Sequence, residues 1–156
     1  MATQYRKAVQ EALINDIKLL KHPDDTNKLF AGVAKFLKDF PDSFPYAVLL
    51  NTTPRVENIG VDFDNRILGF SLVVFDQLEN SQTQAQTEAR IDRLSDIEDS
   101  IYAYLESIPC PIEYDATGVH AWKIEVLPSQ YQYENDQSGI RLYLVVDFNV
   151  YITVQV

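Results

Sequence analysis

Few residues in this chain have the types and spacing that catalysis or metal binding requires. The sequence contains two histidines, His22 and His120, and one cysteine, Cys110. Neither histidine lies at metal-ligand spacing from another candidate ligand, and Cys110 has no histidine near it in the sequence. We expect His22 to cap a helix end, His120 to begin a strand and Cys110 to be an inert structural thiol. We predict no catalytic residue, no cofactor and no metal.

The acidic residues do not form a convincing calcium-binding or acid–base motif. The segment DFDN at residues 62–65 resembles the start of a calcium loop, but Arg66 occupies the position of the third ligand, and the required Gly and Glu are missing. A solvated turn before a strand explains it better. Pairs such as Asp24 and Asp25 are expected by chance in so acidic a chain. An enzyme that uses Cys110 or a carboxylate pair remains an alternative.

The charge of the chain argues against nucleic-acid binding. The net charge is −10, and it is unevenly distributed: residues 1–21 carry four basic and two acidic side chains, and the remainder carries nine basic and twenty-one acidic ones. A body this acidic repels a phosphate backbone. We therefore expect no sequence-specific binding of nucleic acid. Such a surface can still lie close to DNA without binding it.

Length and composition indicate one ordinary globular domain. The chain has 156 residues, of which 46% are hydrophobic and 23% charged, and we assign residues 1–156 to a single domain. No run of eighteen apolar residues is present, so we expect no membrane span. The first residues do not have the pattern of a signal peptide, and a single cysteine fits a reducing cytosol.

Hydrophobic periodicity predicts the order of the elements. The N-terminal helix covers residues 3–20, and the sheet with a second helix covers residues 28–156. Within that range, residues 29–36 could form either a strand or a helix. The pattern then predicts a short strand at 46–51, a polar loop, a central strand at 66–76 and a helix at 88–108. A strand at 121–128, a Tyr-rich hairpin tip and a terminal strand at 141–156 follow. The predicted fold class is α+β, with a mostly antiparallel sheet and both helices packed on one face.

The terminal strand, RLYLVVDFNVYITVQV, keeps a period of two over residues 141–156. At roughly 3.3 Å per residue it would extend to about 53 Å, whereas a compact chain of this length is about 40 Å across. Either a bulge bends the strand, or part of it runs beyond the domain and pairs elsewhere. A long apolar strand with an exposed edge would aggregate, and pairing with identical neighbours in a closed ring removes that edge. The pattern therefore predicts a homo-oligomer.

Aromatic residues near this strand are candidates for the subunit interface, because surface aromatics are enriched in protein contacts. Tyr131 and Tyr133 flank the predicted hairpin tip, and Tyr143 and Tyr151 share the outward face of the terminal strand. With Phe148 they form the predicted interface. Packing of the tyrosines across strands within one sheet is an equally good explanation.

Several segments together resemble the tail terminator proteins of long-tailed bacteriophages, over roughly residues 28–156. These are FPYAVLL (44–50), NRILGFSLVVF (65–75), the 88–108 helix, KIEVLPSQYQYE (123–134) and the terminal strand. The chain departs from the family pattern at Tyr131, where Trp is expected, and in its long 21–28 segment. The resemblance favours a strand at 29–36.

The resemblance implies a ring, usually of six subunits, at the head-proximal end of the tail tube. Such a ring stops tube polymerisation, joins the tail to the head connector and lets DNA pass through its lumen. The expected partners are further copies of this chain, the tail tube protein and a head-completion or connector protein. The expected location is the virion tail, and the host cytoplasm during assembly. Another neck or tail ring protein, such as a head-completion protein or a tube subunit, is the alternative.

Acidic side chains lining or flanking such a channel would repel the phosphates of passing DNA. The candidate residues are Asp92, Asp96, Asp99, Glu134, Asp136 and Asp147.

Overall fold

The structure is a computed structural model that describes residues 5–22, 27–52, 55–58, 63–79, 83–108, 112–114, 119–136 and 139–155. The elements are α1 (Tyr5–Ile17), β1 (Gly32–Ala34), β2 (Tyr46–Asn51), β3 (Arg55–Asn58), β4 (Phe63–Glu79), α2 (Gln84–Ser107), β5 (Ile112–Tyr114), β6 (Val119–Val126), β7 (Gln130–Asp136) and β8 (Gly139–Gln155). All the strands belong to one sheet, which is antiparallel except for the β1–β2 pair. The predicted α+β class is confirmed.

The boundaries of several elements differ from those that we predicted. Residues 32–34 form a strand within the ambiguous 29–36 segment, and β3 lies within the predicted polar loop. Helix α2 begins four residues earlier than predicted because Thr83 and Gln86 form a capping box: the Gln86 amide donates to Thr83 Oγ1, and the Thr83 amide donates to Gln86 Oε1. The T-x-x-Q signal was present in the sequence and was missed.

The predicted Tyr-rich hairpin tip is wrong, because most of it is strand β7. Residues 130–136 pair with residues 145–139 of β8, so Tyr131 and Tyr133 lie inside a strand and do not flank a tip. The segment QYQYEND has no apolar face, because it alternates only as far as Tyr133 and is polar beyond it.

Strands β4 and β8 form a central ribbon in which each contributes seventeen residues. They pair antiparallel without a break from Phe63 opposite Gln155 to Glu79 opposite Gly139. Strand β8 is therefore a central strand: its other edge pairs with β7 up to Val145 and with β6 from Phe148, and the Leu127 amide donates to Asp147 O between them.

This pairing corrects the argument for a homo-oligomer. The terminal strand was expected to have an exposed edge and to need a neighbouring subunit, but both of its edges are paired within the chain. At one end of the ribbon β3 pairs with β4, and at the other end β7 pairs with β8.

The core lies between this sheet and both helices. Even-numbered residues of β8 from Leu142 to Ile152 are buried, and Phe148 stacks on Phe70 of β4 with ring centroids 5.6 Å apart. Leu13 and Ile17 of α1 and Leu94, Ile97, Ile101 and Leu105 of α2 belong to the same hydrophobic cluster. Both helices thus cover the same face of the sheet, as predicted.

Two polar side chains also fix α1 to the sheet. Arg6 Nη1 donates to Gly69 O at 2.9 Å, and buried Gln10 donates through Nε2 to Leu49 O at 2.8 Å. The Arg6 guanidinium lies 5.5 Å from the centroid of the Phe70 ring, and burial lowers the pKa of Arg6. The first turns of α1 are therefore held by main-chain carbonyls of β2 and β4 as well as by apolar contacts.

Gly139, at the start of β8, is the position where the fold most clearly requires glycine. Its φ is 152°, and an added Cβ would collide with the carbonyl oxygen of Leu78. We expect Gly139→Ala to lower the free energy of unfolding by about 1–3 kcal/mol through backbone strain, measured by urea denaturation. The control Asn135→Ala changes an exposed residue of β7 and should have little effect. Equal stabilities of Gly139→Ala and the unchanged protein would contradict this assignment.

Candidate interaction surfaces

The second face of the sheet is covered by no helix among the described residues. We call it the open face. Its residues include Val48 of β2, Ile67, Ser71, Val73 and Phe75 of β4, Tyr143, Val145, Asp147, Asn149 and Tyr151 of β8, and Lys123 and Glu125 of β6. Val48 and Ile67 are buried, Lys123 is exposed, and the others are half-buried. Aromatic, aliphatic and polar side chains therefore alternate across one continuous surface.

One corner of the open face is covered by the 36–44 segment. The Phe40 ring packs edge-on against Phe75 at 5.8 Å and lies 5.6 Å from Phe44. The Arg141 guanidinium lies 3.9 Å from the centroid of Phe40. These contacts cover the β2 side of the face and do not extend to its β6 side.

A polar and aromatic cluster surrounds Tyr151 on the β6 side. The Trp122 ring lies 5.2 Å from Tyr151, and Lys123 Nζ lies 5.1 Å from the centroid of Tyr151. Tyr151 Oη and Asn149 Nδ2 both donate to Glu125 Oε1, at 3.1 and 3.2 Å. Pairing shifts register between Ala121 and Lys123, and Trp122, at this irregularity, is 45% exposed. A β-bulge re-aims a side chain in this way, which the apparent alternation of the sequence did not reveal.

The structure divides the five predicted interface residues among three environments. Tyr143 and Tyr151 share the open face, as predicted. Tyr131 and Tyr133 pair with Leu144 and Leu142, which places them on the helix side, and Tyr133 is 61% exposed. Phe148 is 1% exposed in the core, so its predicted role as a surface contact is wrong.

Tyr143 joins the open face to strand β7. Its Oη donates to Glu134 Oε2 at 2.8 Å, and its ring packs edge-on against Phe75 at 5.3 Å. Burial, reinforced by Glu134, raises the pKa of Tyr143. Tyr143 is thus a protonated donor that holds Glu134 at the margin of the open face.

The start of β7 is anchored to α2 by a second set of polar contacts. Ser129 Oγ donates to Glu98 Oε2, and Tyr102 Oη donates to Leu127 O at 3.0 Å. Tyr131 interacts with Ser95 and Glu98, while burial raises its pKa. The Pro-Ser-Gln-Tyr motif at residues 128–131 therefore has a structural function. Glu98, its partner on α2, was missed because its sequence position resembles that of the other acids of the helix.

The acidic residues predicted for a channel lie on opposite sides of the sheet. Asp92, Asp96 and Asp99 are exposed on α2, within the helix layer. Asp147 lies on the open face, and Glu134 lies at its margin. Asp136 is the last residue of β7, and its side chain lies outside the described part of the chain. If one face of the protein lines a channel, either the α2 acids or the pair Asp147 and Glu134 can face that channel, but not both sets.

Asp76 is a buried charge that sequence analysis did not identify. Its side chain is fully buried and accepts hydrogen bonds from Arg90 Nη1 at 2.9 Å and Arg93 Nη2 at 2.9 and 3.0 Å. The Gln77 amide also donates to it, at 2.9 Å. A buried carboxylate requires such partners. The Asp76 carboxylate therefore holds α2 against β4 and forms salt bridges with both arginines of the helix.

The residues considered for catalysis do not form a site in the described part of the chain. Cys110, Asp24, Asp25 and Asp62 lie outside the described residues, as does the side chain of His120. His22 does not cap a helix, because α1 ends at Ile17, and its amide donates to Asn27 O at 3.1 Å. Among the described residues, we find no group of three His, Cys, Asp or Glu side chains able to hold a metal.

Comparisons with known proteins do not assign the chain to a family. No protein-family model matches the sequence, and no curated protein is significantly similar to it. Within the described residues, no helix has both the length and the hydrophobicity needed to cross a bilayer.

We expect Glu98→Ala to lower the free energy of unfolding by about 1–3 kcal/mol, because it leaves Ser129 without its acceptor and removes one of the two partners of Tyr131. Urea denaturation measures the change. The matched control is Asp99→Ala, which removes an exposed acid from the next position of α2 and should have an effect within about 0.5 kcal/mol. Equal effects of the two substitutions would show that Glu98 does not anchor β7.

Proposed function

We propose that this protein is the tail terminator of a long-tailed bacteriophage. In this proposal the protein forms a ring that caps the tail tube, stops its polymerisation and joins the tail to the head connector. DNA passes through the lumen of the ring. The observation that carries the proposal is the open face, a broad sheet surface that both helices leave uncovered.

The composition of the open face supports a role in an assembly. An antiparallel sheet can expose one face to water, and that face is then usually polar. Here Val73, Val145 and Tyr151 lie on the open face, and exposed Trp122 packs beside Tyr151. Aromatic residues of this kind are enriched where proteins meet. The sequence suggested assembly because of an exposed strand edge; the open face now takes the place of that edge as the reason to expect it.

Charge supports the passage of DNA. The chain has a net charge of −10. On the open face, Lys123 lies 4.0 Å from Glu125, and the Arg141 guanidinium is stacked on Phe40. Asp147 and Glu134 add negative charge to the open face. A surface with few available cations releases few counterions from DNA and therefore binds it weakly. We place the part of the open face around Asp147 and Glu134 on the lumen, and the aromatic cluster of Tyr151 and Trp122 against a neighbouring protein.

A different neck or tail ring protein, either a head-completion protein or a tube subunit, is the second candidate function. The open face and the charge would suit it equally well. Behaviour in assembly separates these functions, because a terminator forms closed rings and blocks tube growth, whereas a tube subunit polymerises.

The decisive experiment combines sedimentation velocity and negative-stain electron microscopy of the purified protein, alone and with tail tube subunits. We expect closed rings alone and arrested tube growth in the mixture. A monomer at every concentration would refute the ring. Open-ended tubes formed by the protein itself would identify a tube subunit, and rings that leave tube growth unchanged would favour a head-completion protein.

The placement of Asp147 and Glu134 on the lumen predicts the effect of charge reversal. Rings with Glu134→Lys and Asp147→Lys should bind duplex DNA more tightly, with a steeper dependence on salt, because each added lysine contacts phosphate. The matched control, Glu134→Gln with Asp147→Asn, removes the same acids without adding cations. Fluorescence anisotropy across a salt series measures both. If the two variants bind DNA equally, the open face does not contact DNA.

A further inference from the structure

The outward face of α2 carries a row of acids that we call the acidic stripe. Its residues are Glu88, Asp92, Asp96, Asp99 and Glu106, and all are exposed. The buried residues of α2, from Leu94 to Leu105, lie on the opposite side of the helix. The acidic stripe therefore faces away from the sheet, toward whatever neighbours the helix in an assembly.

The acidic stripe contains repulsion that no ion pair among the described residues relieves. Successive members from Glu88 to Asp99 are three or four residues apart, a spacing at which like charges destabilise a helix. Arg90 and Arg93 are the cations of the helix, but both bind buried Asp76. Within the described part of the chain, no ion pair involves Asp92, Asp96 or Asp99.

A complementary surface lies around α1 and β1, and we call it the lysine surface. Five of the seven lysines of the chain fall within residues 7–35, and all five are exposed. They are Lys7, Lys18, Lys21, Lys28 and Lys35. Among the described residues, an ion pair to Glu11 neutralises Lys35, at 2.8 Å, and none is found for Lys18, Lys21 or Lys28.

The lysine surface contains like-charge repulsion of its own. Lys21 and Lys28 lie opposite each other in an isolated antiparallel bridge, where two like charges are unfavourable. A groove of about 330 Å³ runs between α1 and β1, bordered by Lys18 and Lys35 and lined by polar Glu11 and Asn15 as well as by Ile14, Val33 and Ala34. The surface thus combines an accessible groove with Lys18, Lys21 and Lys28, for which the described part of the chain supplies no ion pair.

We propose that the acidic stripe of one copy docks on the lysine surface of the next copy. The two surfaces carry opposite charges, and each relieves the repulsion within the other. They are different patches of the same chain, so the contact is head-to-tail, the kind of contact that closes into a ring. The inference rests on the ring of the proposed function and assigns its contact. Asp92, Asp96 and Asp99 then lie between subunits and do not line the channel.

Charge exchange tests the contact. Asp92→Lys with Asp96→Lys reverses the acidic stripe, and Lys18→Glu with Lys28→Glu reverses the lysine surface. All four residues are exposed, so the variants should remain folded, which circular dichroism verifies. We expect each variant alone to associate at least roughly tenfold more weakly in sedimentation velocity, because like charges then meet. A chain with all four substitutions should form rings again.

Two further measurements complete the test. Added salt should dissociate the unchanged ring, since exposed charge pairs are screened. The control Glu134→Lys with Asp147→Lys makes the same change of charge on the open face and should leave the ring intact. Rings that survive either single reversal, or a fourfold variant that stays dissociated, would overturn the contact and leave the proposed function standing. An unchanged protein that is monomeric would overturn both.

Discussion

The pairing of β4 with β8 is the interaction on which the remaining structure depends. These two seventeen-residue strands pair along their full length, and every other strand except β1 and β5 pairs directly with one of them. Their alternate residues supply the floor of the core, and their other residues supply most of the open face. Because side chains alternate with a period of two, a shift of one residue in this ribbon would exchange the two faces. One register therefore determines both the stability of the domain and the surface that it presents.

The salt bridges of Asp76 show how a structural requirement can shape a surface. Placing a carboxylate under α2 requires cationic partners, and Arg90 and Arg93 meet that requirement. Both arginines are thereby held on the sheet side of the helix, away from the acids on its outward side. The internal salt bridges thus leave the acidic stripe strongly negative. Stability inside the domain and charge on its exterior are coupled through two side chains.

Much of the fold could be predicted from the sequence because its patterns are local. The apolar stripe of α2 and the alternation of β8 follow directly from residue spacing, and both elements are present. Strand β7 was missed because its half-polar alternation has no apolar face, and the bulge at Trp122 was missed because it arises from pairing with β8. The positions of Asp76 and Glu98 could not be predicted either, since each depends on partners 14 to 31 residues away. Spacing shows which side chains share a face, whereas long-range pairing decides what covers that face.

The attachment of α1 has a consequence for how the protein tolerates change. Arg6 and Gln10 donate to the main-chain oxygens of Gly69 and Leu49, so the acceptors do not depend on which side chains those strands carry. Variation in β2 and β4 can alter packing and still preserve both acceptors. Variation at either donor removes a hydrogen bond that no compensating side chain in the sheet restores. The two hydrogen bonds of this junction therefore constrain the helix residues Arg6 and Gln10 more than the side chains at positions 49 and 69.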